Sequence, residues 1–305
     1  MKFTSLLKDP NYSRGFGVRG LGLTPDDLGV KKEFHFGQDL PPVWQIAQWA
    51  ARYDLANDEQ GSVFEVSPGV FKMQTKTNTL IADTVNRSLS FKCYAEYCYD
   101  KPRKKNDPWQ HLLVENSFAQ IDDGAPLTRI TKLDSLTISG SIQLLEFEDH
   151  MGDLFDSETH AAQFLLYLTI HNVEKNSSGF GEMIWFGIPF FDNRFKILEP
   201  SAMFDKGTSC LMVSIGSKAV FLDSGEFFRN GKIIAGENSP VHEFEVNALD
   251  LIKSAYETAR LEGYFLNTQL QDLAVTGMNM GWEMPGTYNV AMRVNSFDVI
   301  AGYND

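Results

Sequence analysis

Two glutamates, Glu115 and Glu283, combine a residue type suited to acid–base chemistry with a position on a predicted β-strand. Alternate side chains of a strand share one face, so Glu115 shares a face with His111 and Glu283 shares one with Asn279. Two carboxyl groups are the minimum for cleaving a glycosidic bond, because one protonates the leaving oxygen and the other acts as base or nucleophile. If their strands lie side by side in one sheet, Glu115 and Glu283 form a candidate catalytic pair.

Two further predicted strands carry polar and aromatic side chains on one face only. Tyr167 and His171 share a face, whereas the alternate positions, Phe164, Leu166, Leu168 and Ile170, are apolar and predict a buried core face. Trp185 lies on the second of these strands, near 183–189. Aromatic rings stack on the apolar faces of sugars, and carboxylates accept hydrogen bonds from sugar hydroxyls. The residues predicted to line one groove are His111, Glu115, Tyr167, His171, Trp185, Asn279 and Glu283.

Three functions fit these polar faces, and the sequence leaves them open. The first is hydrolysis of an oligo- or polysaccharide, with Glu115 and Glu283 as the catalytic residues. The second is non-catalytic, lectin-like binding of a carbohydrate through His111, Tyr167, His171, Trp185 and Asn279. The third is a structural or interaction protein whose polar faces are simply solvated, as is common for one face of an antiparallel sheet. Convergence of the two glutamates in one groove would favour the first function.

Other motifs are weaker indications of chemistry. Residues 15–20 match the G-x-G-x-x-G pattern of dinucleotide-binding loops, but Pro10 and Pro25 flank them, so the required strand and helix are not predicted. The acidic stretch 146–158 could supply oxygen ligands to calcium, yet its spacing does not match an EF-hand loop, which favours a solvated loop. The basic run 101–105 is interpreted as a solvated loop as well. We therefore expect no metal and no cofactor.

The chain carries 27 lysines and arginines against 40 aspartates and glutamates, a net charge of −13. This balance argues against nucleic acid and against an anionic membrane surface as partners, because both attract cationic proteins. The apolar segment after Lys2 is too short for a secretory signal, and the three cysteines show no disulfide framework. We therefore expect a cytoplasmic protein whose partner is an oligo- or polysaccharide.

Turn residues divide the chain after residue 60 into short segments rich in β-branched and aromatic residues, which is typical of strands. About twelve strands are predicted, with hairpin turns near Gly216–Ser217 and at Asn230–Gly231, one helix between Asn247 and Gly263 and a second, short one near 42–53. No alternation of strands and helices is present, so the fold class is mainly β: a two-sheet antiparallel jelly-roll sandwich. We expect a single domain over 1–305, in which residues 1–60 form a loop and a short helix that pack on the sandwich.

Four segments resemble bacterial proteins of the concanavalin A-like jelly-roll group, which includes many lectins, glucanases and polysaccharide lyases. They are PVWQIAQW at 42–49, PWQHLLVE at 108–115, WFGIPFFDNR at 185–194 and NMGWEMPG at 279–286. The resemblance covers most of the chain and implies the sandwich fold and a glycan ligand, but no particular reaction. The strand signatures of the well-studied lyases are absent, which argues against a lyase reaction. The glucanase pattern Glu-x-Asp-x-x-Glu is absent as well.

Overall fold

The computed structural model describes residues 2–24, 27–118 and 128–303. Within these ranges the chain forms nineteen β-strands and one α-helix, together with short 3-10 turns. The strands are β1 (Lys2–Ser5), β2 (Phe16–Arg19), β3 (Val30–Phe34), β4 (Trp44–Ala47), β5 (Ser62–Ser67), β6 (Val70–Gln74), β7 (Asn78–Asp83), β8 (Ser88–Tyr94), β9 (Gln110–Ser117), β10 (Ser135–Asp149), β11 (Gln163–Asn172), β12 (Met183–Asp192), β13 (Ser201–Asp205), β14 (Cys210–Ser214), β15 (Phe228–Arg229), β16 (Lys232–Ile233), β17 (Val241–Asn247), β18 (Leu273–Met284) and β19 (Tyr288–Tyr303). The helix α1 is Ala248–Leu261, and the 3-10 turns are Ala95–Tyr97, Ile130–Lys132, Gly152–Leu154, Ser217–Ala219 and Leu270–Asp272.

Two large sheets face each other across the core. The first sheet has the strand order β17-β10-β19-β8-β7-β6-β5, and β1 pairs with the last residues of β19. The second has the order β13-β14-β12-β11-β18-β9-β4-β2-β3. Neighbouring strands are antiparallel except for the parallel pairs β2–β4 and β12–β14. Because the chain passes repeatedly from one sheet to the other, as in a jelly roll, the predicted two-sheet sandwich is confirmed.

The core face of β11 is the one that its sequence alternation predicts. Phe164, Leu166, Leu168 and Ile170 are all 0% exposed. The ring of Phe164 lies 5.3 Å from that of Phe91 in the first sheet and 5.1 Å from that of Trp282 in the second, both edge to face. Trp282 Nε1 donates a hydrogen bond to the Phe91 carbonyl at 3.2 Å. Aromatic contacts therefore join the two sheets and fix which side of β11 and β18 faces outward.

The prediction of a short helix near 42–53 is wrong. Residues Trp44–Ala47 form β4, which pairs with β9 and β2 in the second sheet. Trp44 and Ile46 are both 0% exposed, because residues two apart on a strand point to the same side. The segment that was expected to pack on the sandwich as a loop and helix instead supplies β1 to the first sheet and β2, β3 and β4 to the second.

The predicted helix near the C-terminus is confirmed as α1. It contacts β10, β12 and β14, and its buried residues are Ala248, Leu249, Ile252, Ala255, Tyr256 and Ala259. Gly263 follows with φ at 83°, a conformation that glycine adopts without strain after a helix. The helices in the described ranges are too short or too polar to cross a membrane.

One of two predicted hairpins is present. Asn230 and Gly231 join β15 to β16 with φ values of 52° and 75°, as a two-residue turn of this sequence requires. The hairpin predicted at Gly216–Ser217 is wrong, because β14 ends at Ser214 and runs parallel to β12. Pairing between distant segments has overridden the local turn signal there.

Leu168→Ala tests the sandwich core. The substitution should lower the free energy of unfolding by about 2–5 kcal/mol, because it leaves a cavity between the sheets. Urea unfolding followed by circular dichroism measures the change. Leu261→Ala is the matched control, since Leu261 is 89% exposed and the same change there should cost less than about 0.5 kcal/mol. Equal midpoints for Leu168→Ala and the wild type would mean that the faces of β11 are reversed.

Candidate functional site

The outward face of the second sheet carries the residues that the sequence singled out. β12, β11, β18, β9 and β4 are successive neighbours in this sheet, so their side chains align in rows across the strands. One row consists of Gln45, Glu115, Asn279, Tyr167 and Gly187. The next row consists of Ser117, Gly277, Thr169 and Trp185. Polar groups from five strands therefore meet on one surface.

A cavity of about 600 Å³ opens on these rows. Its volume lies within the range of about 300–1,000 Å³ that is usual for small-molecule sites. Four of the seven predicted groove residues line it: Glu115, His171, Trp185 and Asn279. Seven polar residues that the sequence did not single out line it as well: Arg19, Gln45, Asn116, Ser117, Thr169, Asn172 and Thr276. The cavity thus combines the indole ring of Trp185 with one positively charged, one negatively charged and several neutral hydrogen-bonding side chains.

Tyr167, His111 and Glu283 lie on the same face of the sheet but outside the set of residues that line the cavity. Tyr167 adjoins the cavity, because its ring lies 5.8 Å from that of Trp185 in an edge-to-face contact. Burial raises the pKa of the Tyr167 hydroxyl, and the nearby Glu283 carboxylate raises it further. Tyr167 is therefore a neutral phenol that supports the tryptophan.

The two predicted catalytic glutamates lie on adjacent strands but at different levels. Glu283 pairs with His111, whereas Glu115 pairs with Asn279, four residues away along each strand. At about 3.3 Å per residue, this places the two glutamates about 13 Å apart along the sheet. The row between them consists of the buried residues Leu113, Gly281 and Leu165. Of the two glutamates, Glu115 is the one that lines the cavity.

An ion pair occupies one side of the cavity. In β2, Phe16 and Val18 are 0% exposed and face the core, so Arg19 faces the cavity together with its neighbours on β4 and β9. Arg19 Nε lies 3.0 Å from Glu115 Oε2 and 2.8 Å from Gln45 Oε1. Burial raises the pKa of Glu115, and the positive charge of Arg19 lowers it in part. Arg19 therefore offsets part of the cost of burying the charged form of Glu115.

His171 is held by a chain of hydroxyl groups. Its Nδ1 lies 2.5 Å from Thr276 Oγ1, which in turn lies 2.8 Å from Thr169 Oγ1. Burial lowers the pKa of His171, so the imidazole is neutral at neutral pH. The ring can therefore exchange hydrogen bonds with a ligand without adding charge to the cavity.

Asn279 presents an unsatisfied acceptor in the cavity wall. The residue is 5% exposed, and its Oδ1 has no hydrogen-bond partner among the described residues. A buried carbonyl oxygen without a donor costs about 1–3 kcal/mol. This acceptor belongs to a residue that lines the cavity, although the oxygen atom itself is covered.

A second cluster surrounds Glu283. The His111 ring lies between two indoles, 5.6 Å from that of Trp49 and 5.7 Å from that of Trp109. Burial raises the pKa of Glu283, His111 lowers it, the carboxylate of Asp205 raises it, and a hydrogen bond with Trp109 lowers it again. Asp205, whose carboxylate contributes to the raised pKa of Glu283, is the last residue of β13, at the edge of the sheet.

Sequence reasoning missed Arg19 because this residue lies in a glycine-rich segment. The alternation of Phe16 and Val18 with small or polar residues was the available signal for a strand. Trp49 and Trp109 were also missed, although both lie in segments that carry the family resemblance. Neither segment shows from its sequence alone that its tryptophan packs against His111.

The two charged stretches have partners within the protein. Arg103 of the basic run is 8% exposed and donates hydrogen bonds to the carbonyls of Pro285 and Thr159 at 2.9 and 2.6 Å. In the acidic stretch, the Asp156 carboxylate accepts hydrogen bonds from the Glu158 amide and the Thr159 hydroxyl. Over the described ranges, no three His, Cys, Asp or Glu side chains are grouped so that they could hold a metal ion.

No protein-family model and no curated protein sequence matches this chain. Among solved structures it is similar to an endoglucanase from Rhodothermus marinus, with 10% identity and a TM-score of 0.40 over 85% of this chain and 99% of that one. A family 12 xyloglucanase from Bacillus licheniformis gives 9% identity and 0.40 over 80% and 97% of the two chains. A family 11 xylanase from Neocallimastix patriciarum gives 7% and 0.31 over 82% and 94%. At these identities and TM-scores, the likenesses assign the chain to no family.

Arg19→Met tests the ion pair. At pH 8 it should lower the free energy of unfolding by about 1–2 kcal/mol, because Glu115 becomes an enclosed carboxylate without a cation beside it. Folding raises the pKa of Glu115, so stability is lost as the pH rises through that raised pKa, and Arg19 limits this loss. At pH 4 Glu115 is protonated and the cost should be smaller. Urea unfolding at both pH values measures the difference.

The control for this experiment is the same substitution in a Glu115→Gln background. There the cost of Arg19→Met should not depend on pH, because the titrating carboxyl group is gone. Equal destabilisation by Arg19→Met alone at pH 4 and pH 8 would contradict the electrostatic role of Arg19.

Proposed function

We propose that this protein binds an oligo- or polysaccharide in the cavity on the outward face of its second sheet. The observation that carries the proposal is that Trp185 and Asn279, whose Oδ1 has no hydrogen-bond partner among the described residues, both line one cavity of about 600 Å³. A pyranose ring offers an apolar face that stacks on an indole and hydroxyl groups that donate to a carbonyl oxygen. One sugar can therefore stack on the Trp185 ring and, with the Asn279 side chain turned toward it, donate the missing hydrogen bond.

The charges of the cavity support an uncharged sugar. Among the described residues that line it, Arg19 and Glu115 neutralise each other, and His171 is neutral because of its burial. The cavity is thus close to neutral although the chain as a whole carries a net charge of −13. A neutral glycan enters such a site without the cost of burying an unpaired charge.

Hydrolysis of the bound glycan is the second candidate function, with Glu115 and Glu283 as the catalytic pair. What favours it is that burial raises the pKa of both carboxyl groups, which is the direction of shift that a general acid requires. The backbone positions of the two residues, however, lie about 13 Å apart along the strands, and of the two Glu115 alone lines the cavity. Glycan binding is therefore the better-supported function, and the catalytic pair stays a prediction.

Trp185→Ala tests the binding site. Loss of the stacking surface should raise the dissociation constant for a bound oligosaccharide at least about tenfold. Isothermal titration calorimetry with cellohexaose, xylohexaose and chitohexaose measures the change. Phe64→Ala is the control and should leave the dissociation constant unchanged, because this aromatic ring is 42% exposed, lies on β5 of the first sheet and is not among the residues that line the cavity. Absence of binding to any neutral glycan by the wild type, in these titrations and on a glycan array, would refute the proposed function.

Glu115→Gln and Glu283→Gln test the second candidate. If the wild type hydrolyses one of these oligosaccharides, each variant should lose turnover by at least about a hundredfold while retaining binding, because the amide cannot transfer the proton. Product release measured by chromatography, together with calorimetric binding, separates the two effects. Wild-type rates in both variants would exclude these glutamates as the catalytic pair. Binding without turnover in all three proteins would favour the non-catalytic function.

A further inference from the structure

We propose that Thr208 is a positioning residue for glycan binding: its hydroxyl holds the Trp185 indole in the orientation that a sugar ring stacks on. The inference rests on the proposed glycan-binding function and adds a residue that does not itself line the cavity. Thr208 lies in the connection between β13 and β14, and nothing in its sequence context marks it as part of a binding site. The contacts of three side chains carry the argument.

The first contact joins the connection between β13 and β14 to the Trp185 indole. Trp185 Nε1 donates a hydrogen bond to Thr208 Oγ1 at 3.1 Å. Indole nitrogen is a donor only, so it depends on an acceptor that is held in place. Trp185 lies on β12, whereas Thr208 follows β13 at the edge of the same sheet, so this bond ties the ring to a separate segment of the chain.

The second contact orients the threonine. The Asp205 carboxylate accepts hydrogen bonds from the Thr208 hydroxyl and from the Gly207 and Thr208 amides, the Gly207 bond at 2.8 Å. A hydroxyl group has one proton, and here that proton points to Asp205. The lone pairs of Thr208 Oγ1 are consequently left to accept from the indole. Asp205 therefore sets the direction in which Thr208 receives the tryptophan.

The third contact supports the ring from the side. The Tyr167 ring lies 5.8 Å from that of Trp185 at an interplanar angle of 64°. Tyr167 is backed by Gly187, where an added Cβ would clash with the Ser214 side chain and meet the Tyr167 ring at 2.8 Å. Thr208 at the indole nitrogen and Tyr167 beside the ring together restrict the rotation of Trp185.

Restriction of the ring before binding improves affinity. A side chain that is already ordered loses little conformational entropy when a ligand stacks on it. Without the Thr208 hydroxyl, the indole would keep its contact with Tyr167 but lose the fixed acceptor for its nitrogen, so the sugar would have to supply more of the ordering. The expected effect is a weakening of glycan binding that is smaller than the effect of removing Trp185.

The test compares Thr208→Val with Thr208→Ser. Valine keeps the shape of threonine but cannot accept the hydrogen bond, whereas serine keeps the hydroxyl. Calorimetry with the probe among cellohexaose, xylohexaose and chitohexaose that the wild type binds most tightly should show an affinity about three- to tenfold lower for Thr208→Val. Thr208→Ser should restore the affinity to within about twofold of the wild type. Asp205→Asn is a second variant that disturbs the same hydroxyl from the other side and should also weaken binding.

A spectroscopic readout separates positioning from a general structural effect. The indole N–H resonance of Trp185, assigned through Trp185→Phe, should shift and exchange faster with solvent in Thr208→Val but not in Thr208→Ser. Unchanged affinity in Thr208→Val, with the wild type binding and Trp185→Ala impaired, would overturn the role of Thr208 and leave the proposed function intact. Failure of the wild type to bind any glycan would overturn both. Equal weakening by Thr208→Val and Thr208→Ser would also overturn the positioning role.

Discussion

The constraint on which the site depends is the packing of the core face of β18 against the first sheet. Met280, Trp282 and Met284 are each 0% exposed, and the Trp282 ring is locked against the first sheet by its hydrogen bond to a backbone carbonyl. Because side chains alternate along a strand, this core face obliges Asn279 and Glu283 to face outward. Burial of apolar surface thus places the polar residues of β18, and a shift of one residue would move them into the core.

Gly281, midway between Asn279 and Glu283 on β18, is equally constrained. Gly281 has φ at 150° and lies so close to the Leu112 carbonyl that a Cβ would clash with it. Its flanking residues in the row, Leu113 and Leu165, are 1% and 7% exposed. The apolar row therefore divides the outward face into two levels with different electrostatics. On one level the Glu115 carboxylate is paired with Arg19, and on the other burial and the Asp205 carboxylate raise the pKa of Glu283.

Connections between strands hold the aromatic rings at both levels. The Arg103 guanidinium lies over the Trp109 ring at 5.2 Å while it donates hydrogen bonds to carbonyls of its own loop and of the segment after β18. The turn after β13 holds Trp185 through Thr208 in a comparable way. In both cases a polar group of a connection contacts an indole and restricts its orientation. Charged or polar loops therefore shape a site whose floor is made by strands.

The local sequence pattern by itself determined a large part of the fold of this protein. It predicted the two-sheet sandwich, the core face of β11, the helix α1 and the turn at Asn230–Gly231, because each follows from the periods and turn preferences of nearby residues. It also placed seven candidate residues on one sheet face. In β4 it failed, since four residues are too few to separate the strand period from the helix period, and pairing with β9 decided the outcome.

Only the tertiary structure decided which candidates meet. Whether Glu115 stands beside Asn279 or beside Glu283 depends on the register between β9 and β18, which are separated by more than 150 residues in the sequence. That register is set by non-local packing of Trp282 against both sheets and leaves no trace in the sequence near either glutamate. The same holds for Arg19 and Thr208, whose partners come from distant strands. A side-chain face is a local property of the chain, whereas a site requires long-range strand pairing that only the folded core supplies.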